Sequence, residues 1–268
     1  MNLLTLLTIL LSSPTTTPII STSDFVIGES LTFQSDVLEE VRTINVYLPL
    51  SYAKEPDKKY PVVYLLDGSA DEDFIHISGI VQFGSFSWIQ MIPESIVIGI
   101  ANTDRRHDLT YPSNNEQDQT DSPTAGGSAE FIEMIKEELQ PLVAQRYRVN
   151  DSSTLVGQSF GGLFATEVLL KKPALFDNYV IVSPSLWWDN ESLLKASAAD
   201  LSSVNAVYIG VGEEGEVMKR VANELFEKLQ EDETITENLS FRYFSELDHG
   251  DALHLAVYDA FETIFATP

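Results

Sequence analysis

The sequence predicts an α/β protein built on a mostly parallel, doubly wound sheet with antiparallel strands at its N-terminal edge. Three observations carry that prediction. Two early segments, "SLTFQSDVL" and "RTINVYLPL", alternate apolar and polar residues as half-exposed strands do, and the second ends at Pro49. Later runs such as "PVVYLLDG" and "SIVIGIAN" are short, continuously apolar and β-branched, and each is closed by Gly, Asp or Asn. That is the pattern of strands covered on both faces. Segments with apolar residues at helical spacing lie between the later runs, and alternation of β and α along one chain builds a parallel sheet.

The elements follow in order. After the two edge strands and the first two central ones, residues 129–148, "AEFIEMIKEELQPLVAQRYR", carry a helical pattern interrupted by Pro141 and lead into the strand "SSTLVG". The segment "FGGLFATEVLLKKP" reads as a helix whose exposed face ends in Lys171 and Lys172. Three more strands follow, "NYVIVSPS", "VNAVYIGVG" and "NLSFRYFS", with a helix at "EVMKRVANELFEKLQ" between the last two and a closing helix at "DALHLAVYDAFETIF". No internal repeat is visible. The longest stretch without periodicity is 102–128, which is either disordered or part of a binding site, since it lies just past the C-terminal end of a strand where open α/β sheets take their ligands.

A chain of 268 residues with 44% hydrophobic side chains can bury a substantial core. The length suits one large domain, placed at residues 21–268. Forty-one acidic against 16 basic side chains leave a formal net charge of −25, which repels phosphate backbones and anionic lipid and argues against nucleic acid or an acidic membrane surface as partner. The absence of cysteine excludes disulfides, thiolate catalysis, zinc-thiolate sites and iron-sulfur clusters. Within residues 1–20 the apolar run Leu3–Leu11 has the length of an export-signal core and is too short to span a bilayer. No Lys or Arg precedes it and no small-x-small cleavage site is evident, so export and a surface-docked tail both remain open, and with them a periplasmic or secreted versus a cytoplasmic location. Sequons at Asn150, Asn190 and Asn238 matter only in a glycosylating compartment. The oligomeric state is not legible.

Chemistry concentrates in "LVGQSFGGLF", residues 155–164. A G-x-S-x-G match alone is weak, but Ser159 stands where a buried strand turns into a helix, and the flanking Gly157, Gly161 and Gly162 are what a tight nucleophile elbow requires. There the Phe160 amide, at the helix N-terminus, would point at a developing oxyanion. The plainer reading is a strand-to-helix crossing with a hydrogen-bonded serine.

A serine nucleophile needs a base held by a carboxylate. In an α/β-hydrolase the chain order is Ser, acid, His, which removes His76 and His107. His249 lies in "FSELDHGDAL", a polar loop between the last strand and the last helix, whereas His254 falls inside that helix and reads as a packed residue. The acid is expected just after "AVYIGVG", where the turn reads "EEGEVM". Glu213, Glu214 and Glu216 all qualify, with Glu214 preferred, and Asp248 adjoins the base on the wrong loop. The second oxyanion donor is expected from "LLDGSADE" as the amide of Ser69 or Gly68, and Asp67 reads as a structural turn residue.

Taken in order from about residue 60 to 265, "YPVVYLLDG", "IGIANTDRRHDLT", "GGSAEFIEMIKEELQPLV", "LVGQSFGGLFATEVLL", "FDNYVIVSPSLWWDN" and "DHGDALHLAVYDAF" resemble the esterase group of α/β-hydrolases that includes the siderophore esterases for enterobactin-like trilactones. The resemblance implies that Ser159 is the nucleophile and His249 the base, and that Arg105 of the N-T-D-R segment and Trp187 and Trp188 after S-P-S line the substrate cleft. The usual histidine of "GHS" is Gln158 here, a mild departure, and some members of the group work with a Ser-His dyad. A triscatecholate ferric siderophore is highly anionic, and its approach to this chain is unfavourable unless Arg105 and Arg106 form a basic patch. A generic small-molecule carboxylic ester, with an aromatic or acyl group stacked on Trp187 or Trp188, is therefore the expected substrate. The alternatives are core packing for the tryptophans and ion pairs with Asp104 or Asp108 for the arginines.

The expectation is a serine carboxylesterase that forms an acyl-enzyme on Ser159, with no metal and no cofactor. A siderophore trilactone esterase, a thioesterase or a peptidase would share the machinery. A catalytically silent α/β-hydrolase acting as a binding module is the rival from another class, and it predicts a broken constellation.

Overall fold

The computed structural model describes residues 17–265, so the apolar run Leu3–Leu11 lies outside the described residues. One sheet contains β1 (Glu29–Ser35), β2 (Glu40–Tyr47), β3 (Tyr60–Leu65), β4 (Ile96–Ile100), β5 (Val149–Gln158), β6 (Asn178–Val182), β7 (Ala206–Gly212) and β8 (Leu239–Phe244), in the order β1-β2-β4-β3-β5-β6-β7-β8. β2 runs antiparallel to both β1 and β4, and every other pair is parallel. The burial follows the sequence pattern. β1, with its alternating side chains, is largely exposed, whereas all five residues of β4 and of β6 are buried.

Helices cover both faces. α1 (Phe74–Gly84) and α9 (Ala252–Phe265) pack together on one side, over a core that takes Val63, Leu65, Val156, Val180 and Val182 from the strands. The alternate residues Tyr64, Leu155 and Ile181 face the other core, built with α4 (Ser128–Met134), α5 (Gln140–Arg146), α6 (Phe160–Lys171) and α8 (Glu216–Gln230). This period-two partition is what a strand imposes when both faces are covered. α2 (Arg105–Asp108), α3 (Glu116–Asp121) and α7 (Trp188–Lys195) are shorter and lie in the connections.

Three local outcomes differ from the sequence reading. Pro141 does not interrupt its helix: α4 and α5 are joined by a π-helical turn, Ile135–Leu139, in which the Gln140 N–H reaches back to Ile135 O. The extra residue in that turn absorbs the proline's missing donor and its bulk. α1 had no counterpart in the pattern, because Ile75, Ile77, Ile80 and Val81 are β-branched and Gly79 sits at its centre. The aperiodic stretch 102–128 is organised by α2 and α3, with Asp104 accepting from the His107 amide and Asn115 from the Gln117 amide. It is pinned to the sheet by the buried pair Arg42 and Asp108, 2.8 Å apart.

Candidate active site

The turn between β5 and α6 places Ser159 at φ 61, ψ −118, a left-handed conformation that a side-chain-bearing residue adopts only under strong local constraint. The constraint is steric. A Cβ on Gly157 would lie 2.4 Å from Gly161 O, and one on Gly162 would lie 2.8 Å from Val182 O. Phe160 opens α6, so its N–H has no acceptor within the helix. Ser159 therefore stands at the C-terminal end of the sheet with a free amide beside it.

His249 is carried by the loop between β8 and α9 and Glu214 by the loop after β7. Glu214 Oε2 meets His249 Nδ1 at 2.5 Å. The other Glu214 oxygen accepts from Ser183 Oγ and from the Gly212 amide at 3.0 Å, and the Glu213 amide ties the two loops together through Leu247 O at 2.7 Å. Burial pushes the Glu214 carboxyl up, but the bonds from His249, Ser183 and Gly212 outweigh it and hold the group below the usual carboxylate range. The bond to Glu214 raises His249 above the ordinary histidine value against an opposing contribution from burial. With Nδ1 engaged, Nε2 is the nitrogen left to face a substrate.

Ser159, Glu214 and His249 line one open cleft of about 580 Å³ together with Ser185, Trp187 and Met218. Among the described residues no hydrogen bond joins Ser159 to His249, and the partner of Ser159 Oγ is Ser185 Oγ at 3.4 Å. A second cavity of about 400 Å³ lies at the N-terminal ends of the strands, near Asn178, Ala206 and Ser240, and holds no serine-histidine-acid set.

The remaining candidates separate clearly. Glu213 points to Tyr243 and Lys219, and Glu216 is nearly fully exposed beside Lys219. His254 lies in α9 against His76, away from the cleft lining. The Gly68 N–H donates to Ile100 O at 2.9 Å and is not free to bind an oxyanion, so of the two amides proposed there only Ser69 remains. Its N–H makes one long contact of 3.4 Å, to Glu72 Oε2.

Arg105 forms a two-pronged pair with Asp67, at 2.6 and 2.8 Å, and lies over the Phe160 ring beside the elbow. Asp67 and not Asp104 or Asp108 is thus its partner, and Arg106 donates to the carbonyl of Asp121. Asp67 thus offsets the charge of Arg105, whereas the partner of Arg106 is uncharged. Trp187 is 37% exposed and lines the cleft, whereas Trp188 is 1% exposed and its Nε1 donates to Tyr111 O at 2.9 Å. Trp188 is a core residue, not a cleft residue. Adjacent residues of a helical turn project about 100° apart, so one ring meets the cleft and the other the core, and a left-handed turn follows at Asp189, Asn190 and Glu191, with φ of 49, 54 and 62. Asp189 stabilises that turn by accepting from the Asn114 amide at 2.7 Å. Nothing in the sequence marked Ser183, Ser185, Gly212 or Met218 as site residues; the S-P-S segment held two of them, without anything to separate a supporting serine from a turn serine.

Comparison with known proteins identifies the fold and the family. The family model described as "Putative esterase" matches residues 35–254. The chain is 30% identical over 169 residues to the ferri-bacillibactin esterase BesA of Bacillus subtilis, a match spanning 58% of each chain. It is 32% identical over 214 residues to a siderophore enterobactin esterase of Emericella nidulans, covering 70% of this chain and 71% of that one. The crystal structure of an IroE-like serine hydrolase from Shewanella oneidensis superposes with a TM-score of 0.76 at 30% identity, over 89% of this chain and 80% of that one. The fold is that of the α/β-hydrolases, and the chain belongs to the esterase family that this model describes.

Proposed function

We propose that the chain is a serine esterase in which Ser159 attacks the ester carbonyl. His249 Nε2 takes the hydroxyl proton and returns it to the leaving alcohol, and Glu214 holds the imidazole and stabilises its charged form. The tetrahedral oxyanion is received by the amides of Phe160 and Ser69. Water, activated by His249, then attacks the acyl-enzyme, releases the acid and restores Ser159. The observation that carries this reading is the convergence of a strained serine elbow and a carboxylate-held histidine on one cleft. The absence of a closed Ser159–His249 hydrogen bond is compatible with it, because such bonds are often long in a ligand-free site and tighten around substrate.

The names of the relatives, a ferri-bacillibactin esterase and a siderophore enterobactin esterase, favour a siderophore ester as the substrate class. The cleft qualifies that choice. Glu213, Glu214 and Asp248 line it, and Arg105 is already neutralised by Asp67, so an ester with little negative charge suits it better than a highly anionic complex.

The test is hydrolysis of p-nitrophenyl butyrate with labelling by a fluorophosphonate. Ser159→Ala abolishes both, and His249→Ala suppresses labelling while His254→Ala does not. Turnover that survives Ser159→Ala sinks the proposal.

A further inference from the structure

Asn45 is a buried polar side chain in the middle of β2, 4% exposed, between the fully buried Ile44 and Val46 of the opposite face. Its cross-strand partners are Ser30 on β1 and Gly99 on β4, so the three form one row on one face of the sheet. The turn that follows β3 folds across that row. A Cβ on Gly68 would lie 2.3 Å from Gly99 Cα, and one on Gly99 would lie 2.5 Å from Gly68 O. Bare backbone meets bare backbone there, and the turn comes within reach of Asn45.

Asn45 Nδ2 donates to Gly68 O at 2.8 Å, and Ser30 Oγ donates to Asn45 Oδ1. The two bonds fix which way the amide faces, because a carbonyl can only accept and must meet the nitrogen. Gly68 is thus held at both ends, its N–H by Ile100 O and its C=O by Asn45. Gly68 C=O and Ser69 N–H belong to one planar trans peptide and point in opposite directions. Clamping the carbonyl therefore aims the Ser69 amide. Without the clamp, the Glu72 carboxylate, already 3.4 Å from that N–H, would compete to turn it.

We propose that Asn45, steadied by Ser30, is a positioning residue that sets the oxyanion hole by fixing the Gly68–Ser69 peptide. It touches no reacting atom and acts through the direction of one N–H. The inference rests on the esterase reading above, in which Ser69 is the second oxyanion donor.

Asn45→Asp tests it by keeping the size of the side chain while setting an acceptor against the Gly68 carbonyl, and Ser30→Ala removes only the outer link. The measurements are kcat and KM on p-nitrophenyl butyrate, affinity for a trifluoromethyl ketone whose hemiketal oxyanion needs the hole, and amide exchange of residues 66–72 by mass spectrometry. Loss of an oxyanion donor costs roughly a hundredfold or more in kcat. A misaimed one should lower kcat about 10- to 100-fold in Asn45→Asp, with KM within about twofold, a parallel loss of ketone affinity and faster exchange. Ser30→Ala should move all readouts the same way by about threefold, and it decides the matter if Asn45→Asp does not fold.

Ser159→Ala is run alongside. Turnover surviving it overturns the esterase reading, whereas Ser159-dependent turnover left unchanged by both Asn45→Asp and Ser30→Ala overturns this one alone. A lowered Tm with unchanged kcat would assign Asn45 a purely structural role. Unaltered exchange over residues 66–72 overturns the proposal whether or not a substrate is turned over.

Discussion

Glu214 Oε2 lies 2.5 Å from His249 Nδ1, across 35 residues of chain and between two different loops. The bond raises the histidine above its ordinary value of 6.5. In the proposed mechanism His249 must be neutral to act as general base, so kcat/KM should rise with pH through its raised pKa, and the acid limb of the profile should lie above about 6.5. Glu214→Gln keeps the shape of the side chain but removes the charge that raises the histidine. It should shift the limb to lower pH and reduce kcat by up to about 10⁴-fold, the loss that follows neutralising a triad carboxylate. Glu213→Gln and Glu216→Gln should stay within about twofold of the parent. A profile in which Glu213→Gln carries the loss would reassign the acid.

Gln158 reaches from the turn between β5 and α6 to the loop bearing His249, its Nε2 donating to His249 O at 2.6 Å. Gln158→Ala should lower kcat by about 3- to 10-fold at unchanged KM, because the loop bearing His249 gains freedom while the cleft walls stay in place. Gln158→Glu should be worse than alanine, since an ionised carboxylate would face a carbonyl with no proton to donate. Equal kcat in all three proteins would show that the bond does not position the base.

The adjacent tryptophans should behave differently. Trp188→Ala removes a fully buried ring and its bond to Tyr111 O, which should cost about 3–5 kcal/mol and lower Tm markedly. Trp187→Ala should cost about 1 kcal/mol or less but raise KM for aromatic esters, because its exposed ring lines the cleft. Thermal unfolding and steady-state kinetics on both variants check the pair, and the reverse assignment would follow if Trp188→Ala altered KM at unchanged Tm.

The contrast between these tryptophans shows where sequence ceases to be sufficient. The doubly wound sheet was legible because strands covered on both faces need continuous apolar runs, and β3, β4, β6 and β7 have them. Ser159 and the late histidine stood out because glycine spacing and chain order limit where an elbow and a base can lie. Glu214 was preferred among three glutamates within four residues without a pattern that compels it, since the turn after β7 decides which one meets Ser183, Gly212 and His249 and which ones meet Lys219. Trp188 was misplaced because nothing in the adjacent pair Trp187-Trp188 shows which ring meets the cleft and which is buried against Tyr111. Asn45 lies within "RTINVYLPL", a segment whose alternation reads as a half-exposed strand. Its burial depends on a loop 23 residues further along folding over it.

Charge gives the last prediction. The chain carries a net charge of −25, acidic residues line the cleft, and the nearest arginine is already paired with Asp67. An anionic ester should therefore meet a repulsive field, while a neutral one should not. Raising ionic strength from about 0.01 to 0.15 M shortens the screening length from about 30 to 8 Å. For a p-nitrophenyl hemisuccinate kcat/KM should then rise several-fold, whereas for the neutral butyrate it should change by less than about twofold. A decrease with salt for the anionic ester would mean that a local cation attracts it despite the overall field. Arg105→Ala would then abolish the salt effect, and a highly anionic siderophore complex would become the better substrate class.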